Sequence, residues 1–194
     1  MVVNQLIKRG IIDTALLDAM YTVPRHRFVS KIYRSKAYTD NPLPIGHGQT
    51  ISQPYIVGLM TELLQVNQKH KVLEIGTGCG YQTAILSILS KKVITLEVLK
   101  SLSKISSERL TNLGYKNIDF HCTDGKNGWL KDAPYDRILV SAAPKTIPEV
   151  LIEQLAPNGY MVIPVGSLYD QFINIITKNI NGDVHIKKST PVRF

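Results

Sequence analysis

Apolar and polar residues follow different periods in different parts of the chain. Between residues 1 and 36 the apolar residues recur at helical spacing, and Asp13 stands where it can cap the second of several short helices. A further helix is predicted over 54–65, because five apolar residues of this stretch share one face: Ile56, Leu59, Met60, Leu63 and Leu64.

The stretch 37–53 shows neither a helical nor a strand period. It is interrupted by residues that disfavour regular structure, namely Pro42, Pro44, Gly46 and Gly48. We therefore predict one long ordered loop. A loop of this length inside a compact domain is usually functional.

From residue 71 onward, short apolar runs alternate with helical segments. The predicted strands are 72–75, 93–97, 117–122, 135–141 and 160–165, and the intervening helices are 81–89, 99–113 and 149–155. This alternation predicts an α/β fold with a doubly wound, Rossmann-like parallel sheet, helices on both faces and an N-terminal helical extension. Two closing strands, 171–178 and 183–192, are predicted to turn at Asn181-Gly182.

The composition favours a single globular domain. Hydrophobic residues make up 44% of the 194 residues and charged residues 20%, which disfavours a disordered chain. Within one domain spanning 1–194 we distinguish N-terminal helices with the extended loop (1–70), an α/β core (71–166) and closing strands (167–194).

The composition also predicts a cytoplasmic protein without a membrane partner, and we expect a monomer. Cys79 and Cys122 cannot form a disulfide framework, which indicates a reduced compartment. Charged residues appear by Lys8, too early for a signal peptide, and no apolar run approaches the roughly 18 residues of a membrane span.

The net charge of +8 raises the question of nucleic acid binding. The densest basic stretch lies within 25–36 and contains Arg25, Arg27, Lys31, Arg34 and Lys36. Only 7 of the 23 basic residues are Arg, the type favoured for bidentate phosphate and base contacts, and no nucleic-acid-binding motif is recognisable. A solvated basic surface is the favoured interpretation, and no nucleic acid partner is expected.

A glycine-rich turn follows the first predicted strand of the core. The segment 74–80 reads Glu-Ile-Gly-Thr-Gly-Cys-Gly, and it lies at the carboxyl end of the strand, where open α/β sheets bind ligands. A dinucleotide fingerprint would place a third glycine at position 81, which is Tyr81 here. The turn therefore predicts a ligand site of another kind.

Two more acidic residues follow the next two strands. Glu97 ends the second strand, where a carboxylate can accept hydrogen bonds from both hydroxyls of a ribose, and Asp124 follows the third strand, where it could accept from an adenine amino group. Each alone is most simply a solvated loop carboxylate. Together with Glu74 beside the glycine turn they predict a nucleoside-type cofactor.

This arrangement resembles the class I S-adenosylmethionine-dependent methyltransferases. A more specific run, Gly-Gln-Thr-Ile-Ser-Gln-Pro, occupies 48–54. Together with the segments 23–29, 72–83, 141–144, 163–166 and 192–194, it makes the whole chain similar to the protein-L-isoaspartate O-methyltransferase family.

The resemblance implies an activity, a cofactor and a set of site residues. Members methylate the α-carboxylate of L-isoaspartyl residues in damaged proteins and peptides, using S-adenosyl-L-methionine, releasing S-adenosyl-L-homocysteine and requiring no metal. Cofactor contacts are implied for Glu74, Gly76, Thr77, Gly78, Gly80, Glu97, Asp124 and Gly125. Substrate contacts are implied for Thr50, Ile51, Ser52, Val192 and Arg193, with the Ser52 hydroxyl as the catalytic group.

Several alternatives stay open at this point. Ser52 also lies just before Pro54, where it could simply cap the following helix. Thr123 stands where the family motif has glycine, which leaves the geometry of the turn at Asp124 open. At the level of function, the alternatives are an RNA or small-molecule methyltransferase on the same fold, and a cofactor-binding protein without catalytic activity.

Overall fold

Short helices form the N-terminal part of the chain, as predicted. The structure, a computed structural model, describes residues 1–167 and 169–194. It begins with a π-helical turn, followed by the α-helix α1 (Thr14–Thr22). Asp13 caps α1 by accepting a hydrogen bond from the backbone N–H of Leu16 at 3.0 Å. Three 3₁₀ helices complete this region: Ile7–Arg9, Arg25–Arg27 and Lys31–Lys36.

The prediction of an irregular loop over 37–53 is wrong for part of that stretch. Strands β1 (Leu43–Gly46) and β2 (Gln49–Ile51) form a small antiparallel hairpin outside the main sheet. At its tip, Gly46, His47 and Gly48 all have positive φ, with values of 95°, 54° and 71°. The glycines that argue against regular structure therefore supply the backbone conformation of the turn.

The core alternates helices and strands in the predicted order. Helix α2 (Pro54–Leu64) precedes it. The elements that follow are β3 (Lys71–Ile75), α3 (Tyr81–Leu89), β4 (Lys92–Glu97), α4 (Lys100–Asn112), β5 (Ile118–Cys122), β6 (Tyr135–Val140), α5 (Glu149–Glu153), β7 (Leu155–Ser167), β8 (Asp170–Lys178) and β9 (Val184–Val192).

These strands form one seven-stranded sheet in the order β5-β4-β3-β6-β7-β8-β9. Strands β3 to β7 are parallel, whereas β8 and β9 are antiparallel to their neighbours, so the doubly wound sheet and the two closing strands are confirmed. The last parallel strand is longer than predicted. It begins at Leu155, which pairs with Tyr135 beyond a register shift, and α5 accordingly ends at Glu153.

The apolar core lies on both faces of the sheet. Successive strand residues point to opposite faces, so Val72 packs with the N-terminal helices and α3 while Leu73 packs with α5. Val93 and Ile94 divide between the two faces in the same way. Because both faces of the sheet are buried, the sequences of these strands are continuous apolar runs. In the part of the chain that the structure describes, no helix combines the length and apolarity needed to cross a membrane.

An acidic side chain lies within this core. Glu74 on β3 is fully buried, and its Oε2 accepts hydrogen bonds from the hydroxyls of Thr83 (2.5 Å) and Thr95 (2.6 Å). Its Oε1 has no hydrogen-bond partner among the described residues. Burial raises the pKa of Glu74 from 4.5 to about 7, against the opposing effect of the two threonine hydroxyls.

We expect this carboxyl group to make stability depend on pH. Because its pKa is higher in the folded chain, the folded state binds more protons than the unfolded state between the two pKa values, so stability falls as pH rises from 4.5 to about 7. The loss amounts to roughly 3 kcal/mol at 1.36 kcal/mol per pKa unit. Urea unfolding of the wild type and of Glu74→Gln between about pH 5 and pH 8 measures it, and Glu74→Gln should lose this component.

Glu108→Gln is the matched control, because Glu108 is exposed on α4 and should leave the pH dependence unchanged. Equal pH slopes for the wild type and Glu74→Gln would contradict the assignment.

Candidate active site

A cavity of about 530 Å³ opens at the carboxyl end of the parallel strands. It lies beside β3, where the strand order reverses, which is the usual ligand position in open α/β sheets. Its volume falls within the roughly 300–1,000 Å³ of small-molecule sites. The hairpin, α2, the turn after β3, and the segments following β4, β5 and β6 all contribute to its wall.

Most of the site residues implied by the sequence lie in this wall. The implied residues that line the cavity are Thr50, Ile51, Ser52, Gly76, Thr77, Gly78, Glu97, Asp124 and Gly125. Four others lie outside the lining that the described residues form: Glu74, Gly80, Val192 and Arg193. The implied residues that line the cavity come from four separate segments of the chain, 50–52, 76–78, 97 and 124–125.

The glycine turn needs glycine because of its backbone conformation. Gly76 and Gly78 have φ values of 94° and 55°, a region that favours glycine. A Cβ added at Gly76 would lie 3.4 Å from the Cβ of Ser141, and one at Gly78 would lie 3.4 Å from the Cδ1 of Ile45 in the hairpin. The backbone of the turn is therefore exposed to the cavity at close range.

Glu97 connects this turn to the end of β4. Its Oε2 accepts from the backbone N–H of Gly78 at 2.8 Å, and its Oε1 accepts from that of Leu99 at 2.9 Å. The two backbone donors fix the orientation of a nearly buried carboxylate. Each oxygen keeps a further lone pair, so the group can still accept two hydrogen bonds from a ligand.

The turn after β5 forms another part of the wall. Asp124 accepts from the backbone N–H of Lys126 at 3.0 Å and caps the short 3₁₀ helix Gly125–Asn127. A Cβ at Gly125 would overlap the side chain of Ile75, so this close approach requires glycine. Thr123, where the family motif has glycine, has no positive φ that would require glycine, and its N–H donates to the carbonyl of Glu97 at 3.0 Å.

Two residues for which cofactor contact is implied have other surroundings. Gly80 has a φ of 87°, and a Cβ there would lie 2.8 Å from the Cδ1 of Leu110 on α4, so it permits close helix packing. Glu74 lies beneath the turn, bonded to α3 and β4 through threonine hydroxyls. Neither residue reaches the cavity wall among the described residues, so direct contact of Glu74 or Gly80 with a cofactor stays a prediction.

The C-terminal residues lie at the same edge of the sheet but not in the cavity wall. Val192 pairs with Gln171 at the end of β9 and packs against the core, whereas Arg193 is exposed. The backbone N–H of Phe194 donates to the Oε1 of Gln171 at 2.7 Å. Contact of Val192 and Arg193 with a peptide stays a prediction.

Ser52 does not cap the helix that follows it. Gln53 is the N-cap residue of α2, and its side chain makes no capping hydrogen bond. The Ser52 carbonyl accepts from the Nη2 of Arg25 at 2.7 Å, whereas the Ser52 hydroxyl has no hydrogen-bond partner in residues 1–167 and 169–194. The alternative that Ser52 serves as a helix cap is therefore wrong, and its hydroxyl is available to a ligand.

The hairpin extends across the cavity as far as α4. At its tip, the Nε2 of His47 lies 2.9 Å from the hydroxyl of Ser101 in the first turn of α4. Ile45 on β1 packs over Gly78, and Thr50 and Ile51 on β2 line the cavity. One small element therefore borders both the glycine turn and the Ser52 segment.

Several lining residues are not identified by sequence reasoning. Ile56, Val57 and Met60 belong to the apolar face of α2, which sequence alone assigns to the core. Gln82 also lines the cavity, and its Nε2 donates to the hydroxyl of Thr61 at 2.9 Å. The one sequence signal for Gln82 is that it is a polar residue at the start of a largely buried helix.

The geometry fits a ligand with vicinal hydroxyls. Glu97 presents an oriented acceptor for such hydroxyls, Asp124 offers another acceptor nearby, and the glycine turn admits a ligand close to the backbone. Such acceptors beside an accessible backbone suit a nucleoside-type ligand, and the assignment of each residue to a part of S-adenosylmethionine stays a prediction. Within the described residues, no group of three or more His, Cys, Asp or Glu side chains is arranged to hold a metal ion.

Comparison with known proteins identifies the family. A family model described as Protein-L-isoaspartate(D-aspartate) O-methyltransferase (PCMT) matches residues 1–194. A protein-L-isoaspartate O-methyltransferase from Picosynechococcus sp. is 50% identical over the whole chain, which covers 86% of that relative. One from Geobacter metallireducens is 47% identical, again over the whole chain and 90% of the relative.

Solved structures agree with the sequence comparison. The crystal structure of a protein-L-isoaspartate O-methyltransferase from Plasmodium falciparum, in complex with S-adenosyl-L-homocysteine, is similar with a TM-score of 0.85 and 29% identity. The match covers 100% of this chain and 94% of that one. The resemblance seen in the sequence motifs is confirmed, and the chain belongs to the protein-L-isoaspartate (D-aspartate) O-methyltransferase family.

Proposed function

We propose that this chain transfers the methyl group of S-adenosyl-L-methionine to the α-carboxylate of L-isoaspartyl residues in damaged proteins, which begins their repair. The observation that carries the proposal is that one cavity is lined by both the glycine turn with Glu97 and the Ser52 segment. Membership of the family over the whole chain supports the same activity.

The cofactor half of the cavity is formed by the ends of β3, β4 and β5. In this proposal Glu97 accepts the ribose hydroxyls, and Asp124 with Gly125 lies at the adenine. The turn containing Gly76 and Gly78 accommodates the aminoacyl part. The fixed orientation of Glu97 favours binding, because no side-chain freedom is lost at that carboxylate when the ligand enters.

The substrate half is formed by the hairpin and the start of α2. A substrate carboxylate is ionised at pH 7, since its pKa is about 3.5, so no general base is required. The bound cofactor supplies a methyl group that is already activated on a sulfonium sulfur; its C–S bond breaks as the ester C–O bond forms, leaving S-adenosyl-L-homocysteine. The chain contributes alignment, which can amount to about 7–11 kcal/mol of the barrier.

Ser52 has the catalytic role in this proposal. Its hydroxyl donates a hydrogen bond to the carboxylate and fixes which oxygen faces the methyl group. Thr50 and Ile51 border the peptide on the same side, and Val192 with Arg193 borders it at the end of β9. A hydrogen bond to a charged group contributes about 1.5–3 kcal/mol.

The proposed partners are isoaspartyl-containing proteins and peptides. We propose that a monomer acts on them in the cytoplasm, without nucleic acid or membrane partners. Both cysteines, Cys79 and Cys122, are free, which suits a reduced compartment. The net charge of +8 favours association with acidic polypeptides.

A substrate panel tests the activity. Purified protein with methyl-labelled S-adenosylmethionine is offered an isoaspartyl peptide, its normal aspartyl counterpart, or RNA. We expect label only in the isoaspartyl peptide, as a base-labile ester. Label in RNA would instead support an RNA methyltransferase, and cofactor binding without any transfer would support a binding protein without catalytic activity.

Replacement of Ser52 tests the catalytic assignment. Ser52→Ala removes one hydrogen bond to a charged group, so we expect kcat to fall about 10- to 100-fold. The Kd of S-adenosylmethionine, measured by isothermal titration calorimetry, should change less than about twofold, because the residue belongs to the substrate half. Ser107→Ala on the exposed face of α4 is the control. An equal loss of cofactor affinity, or unchanged turnover, is the result that rejects the role.

Replacement of Glu97 should give the opposite pattern. Glu97→Ala removes the proposed ribose acceptor and leaves the N–H groups of Gly78 and Leu99 without their partner. We expect the Kd of S-adenosylmethionine to rise about 100-fold, on the scale of lost hydrogen bonds to a charged group. Glu108→Ala, on an exposed helix surface, should leave the Kd unchanged. Wild-type affinity in Glu97→Ala would show that the cofactor binds elsewhere.

A further inference from the structure

Arg25 is a buried cation behind the Ser52 segment. Its side chain is fully buried, and no acidic side chain forms an ion pair with it among the described residues. Its Nε donates to the carbonyl of Ala37 at 2.8 Å and its Nη2 to that of Ser52 at 2.7 Å, while Nη1 has no partner in the described chain. A buried charge without a counter-charge is costly, so this position needs a reason beyond packing.

The same guanidinium also contacts the element that follows the glycine turn. Its central carbon lies 4.9 Å from the centre of the Tyr81 ring. Tyr81 is the first residue of α3 and lines the cavity. Arg25 therefore contacts the Ser52 segment on one side and, on the other, the first residue of α3, which directly follows the glycine turn.

Two further contacts hold the glycine turn and the start of α3. The Nη1 of Arg109 on α4 donates to the carbonyl of Cys79 at 2.6 Å. The ring of Phe28 packs edge-on against that of Tyr81, with 5.4 Å between centroids. The glycine turn and Tyr81 are thus held by neighbouring side chains, and Arg25 bonds the Ser52 segment beside them.

We propose that Arg25 is a positioning residue for methyl transfer, a role that rests on the proposed function. By bonding the Ser52 carbonyl while packing on Tyr81, it sets the distance between the substrate carboxylate and the methyl donor. It touches neither of them in this proposal; it acts through Ser52.

Replacing Arg25 should lower turnover and leave cofactor binding nearly unchanged. Alignment errors of about 1 Å can reduce a rate about 100-fold. Glu97, Asp124 and the glycine turn have no hydrogen bond to Arg25 in the described residues, so cofactor affinity should be nearly unaffected. A side chain that only stabilised the fold would not change kcat selectively at a temperature where the protein is fully folded.

Arg137 provides a matched control elsewhere in the molecule. It is also buried, its Nε donates to the carbonyl of Gln65 at 3.1 Å, and its guanidinium lies 4.7 Å from the ring centre of Tyr160. Arg137 is not one of the described residues that line the cavity. The two arginines thus share burial, carbonyl bonding and ring contact, and differ in their proximity to Ser52.

The experiment compares the wild type with Arg25→Met, Arg25→Lys and Arg137→Met. For each, kcat and KM with an isoaspartyl peptide, the Kd of S-adenosylmethionine and the thermal midpoint are measured. We expect kcat to fall about 100-fold in Arg25→Met and about tenfold in Arg25→Lys, which can keep one of the two carbonyl bonds. The cofactor Kd should stay within about threefold in both, and Arg137→Met should lose thermal stability while keeping kcat within about twofold.

Arg25→Lys keeps the test decisive if Arg25→Met does not fold. Wild-type kcat in a folded Arg25 variant would overturn the proposal. It would also be overturned if Arg25→Lys and Arg137→Met lost kcat in the same proportion to the fall in their thermal midpoints, because the loss of kcat would then reflect stability alone. Failure of the proposed function gives a different result, because the wild type itself would then not methylate the peptide.

Discussion

The reversal of strand order at β3 is the constraint on which the site depends. The chain leaves β3 for β4 and β5 on one side and returns to β6 on the other, so the crossovers on the two sides diverge. A crevice is left at the carboxyl end of β3, and the segments that follow β3, β4 and β6 open into it. Glu97 and Ser141, which are 44 positions apart in sequence, therefore border the same glycine turn.

Charged groups close to this crevice are buried in three different ways. Glu97 receives two backbone N–H groups and stays oriented toward the cavity. Glu74 receives two threonine hydroxyls and has a raised pKa, because burial disfavours its ionised form. Arg25 donates to two backbone carbonyls. In each case local hydrogen bonds offset part of the desolvation penalty, and the groups concentrate where ligands bind.

The sheet and the centre of the site could be predicted from sequence because both depend on local patterns. Continuous apolar runs such as 72–75 identify strands buried on both faces, and the positions of Glu97 and Asp124 at strand ends place them at one edge. The hairpin was missed because Pro44 and its glycines are typical of loops, although pairing with Thr50 forms a ribbon there.

Arg25 shows what local patterns cannot reveal. In sequence it belongs to a basic stretch that reads as a solvated surface, yet it is fully buried. Its partners, the carbonyls of Ala37 and Ser52, are 12 and 27 residues away, so only the folded chain brings them together. Gly80 is similar: it belongs to a ligand-binding motif, but the packing of Leu110 on α4 leaves no room for a side chain there.

The hairpin also has a thermodynamic consequence. Ile45 and His47 connect it to the cofactor turn and to α4, while Thr50 and Ile51 border the proposed peptide position. If the hairpin changes conformation when one ligand binds, the binding free energy of the other ligand changes with it. Such coupling is reciprocal: by whatever factor bound cofactor changes the affinity for the peptide, bound peptide changes the affinity for the cofactor. A hairpin of β1, β2 and the two residues between them thereby gives the two halves of the site a common wall.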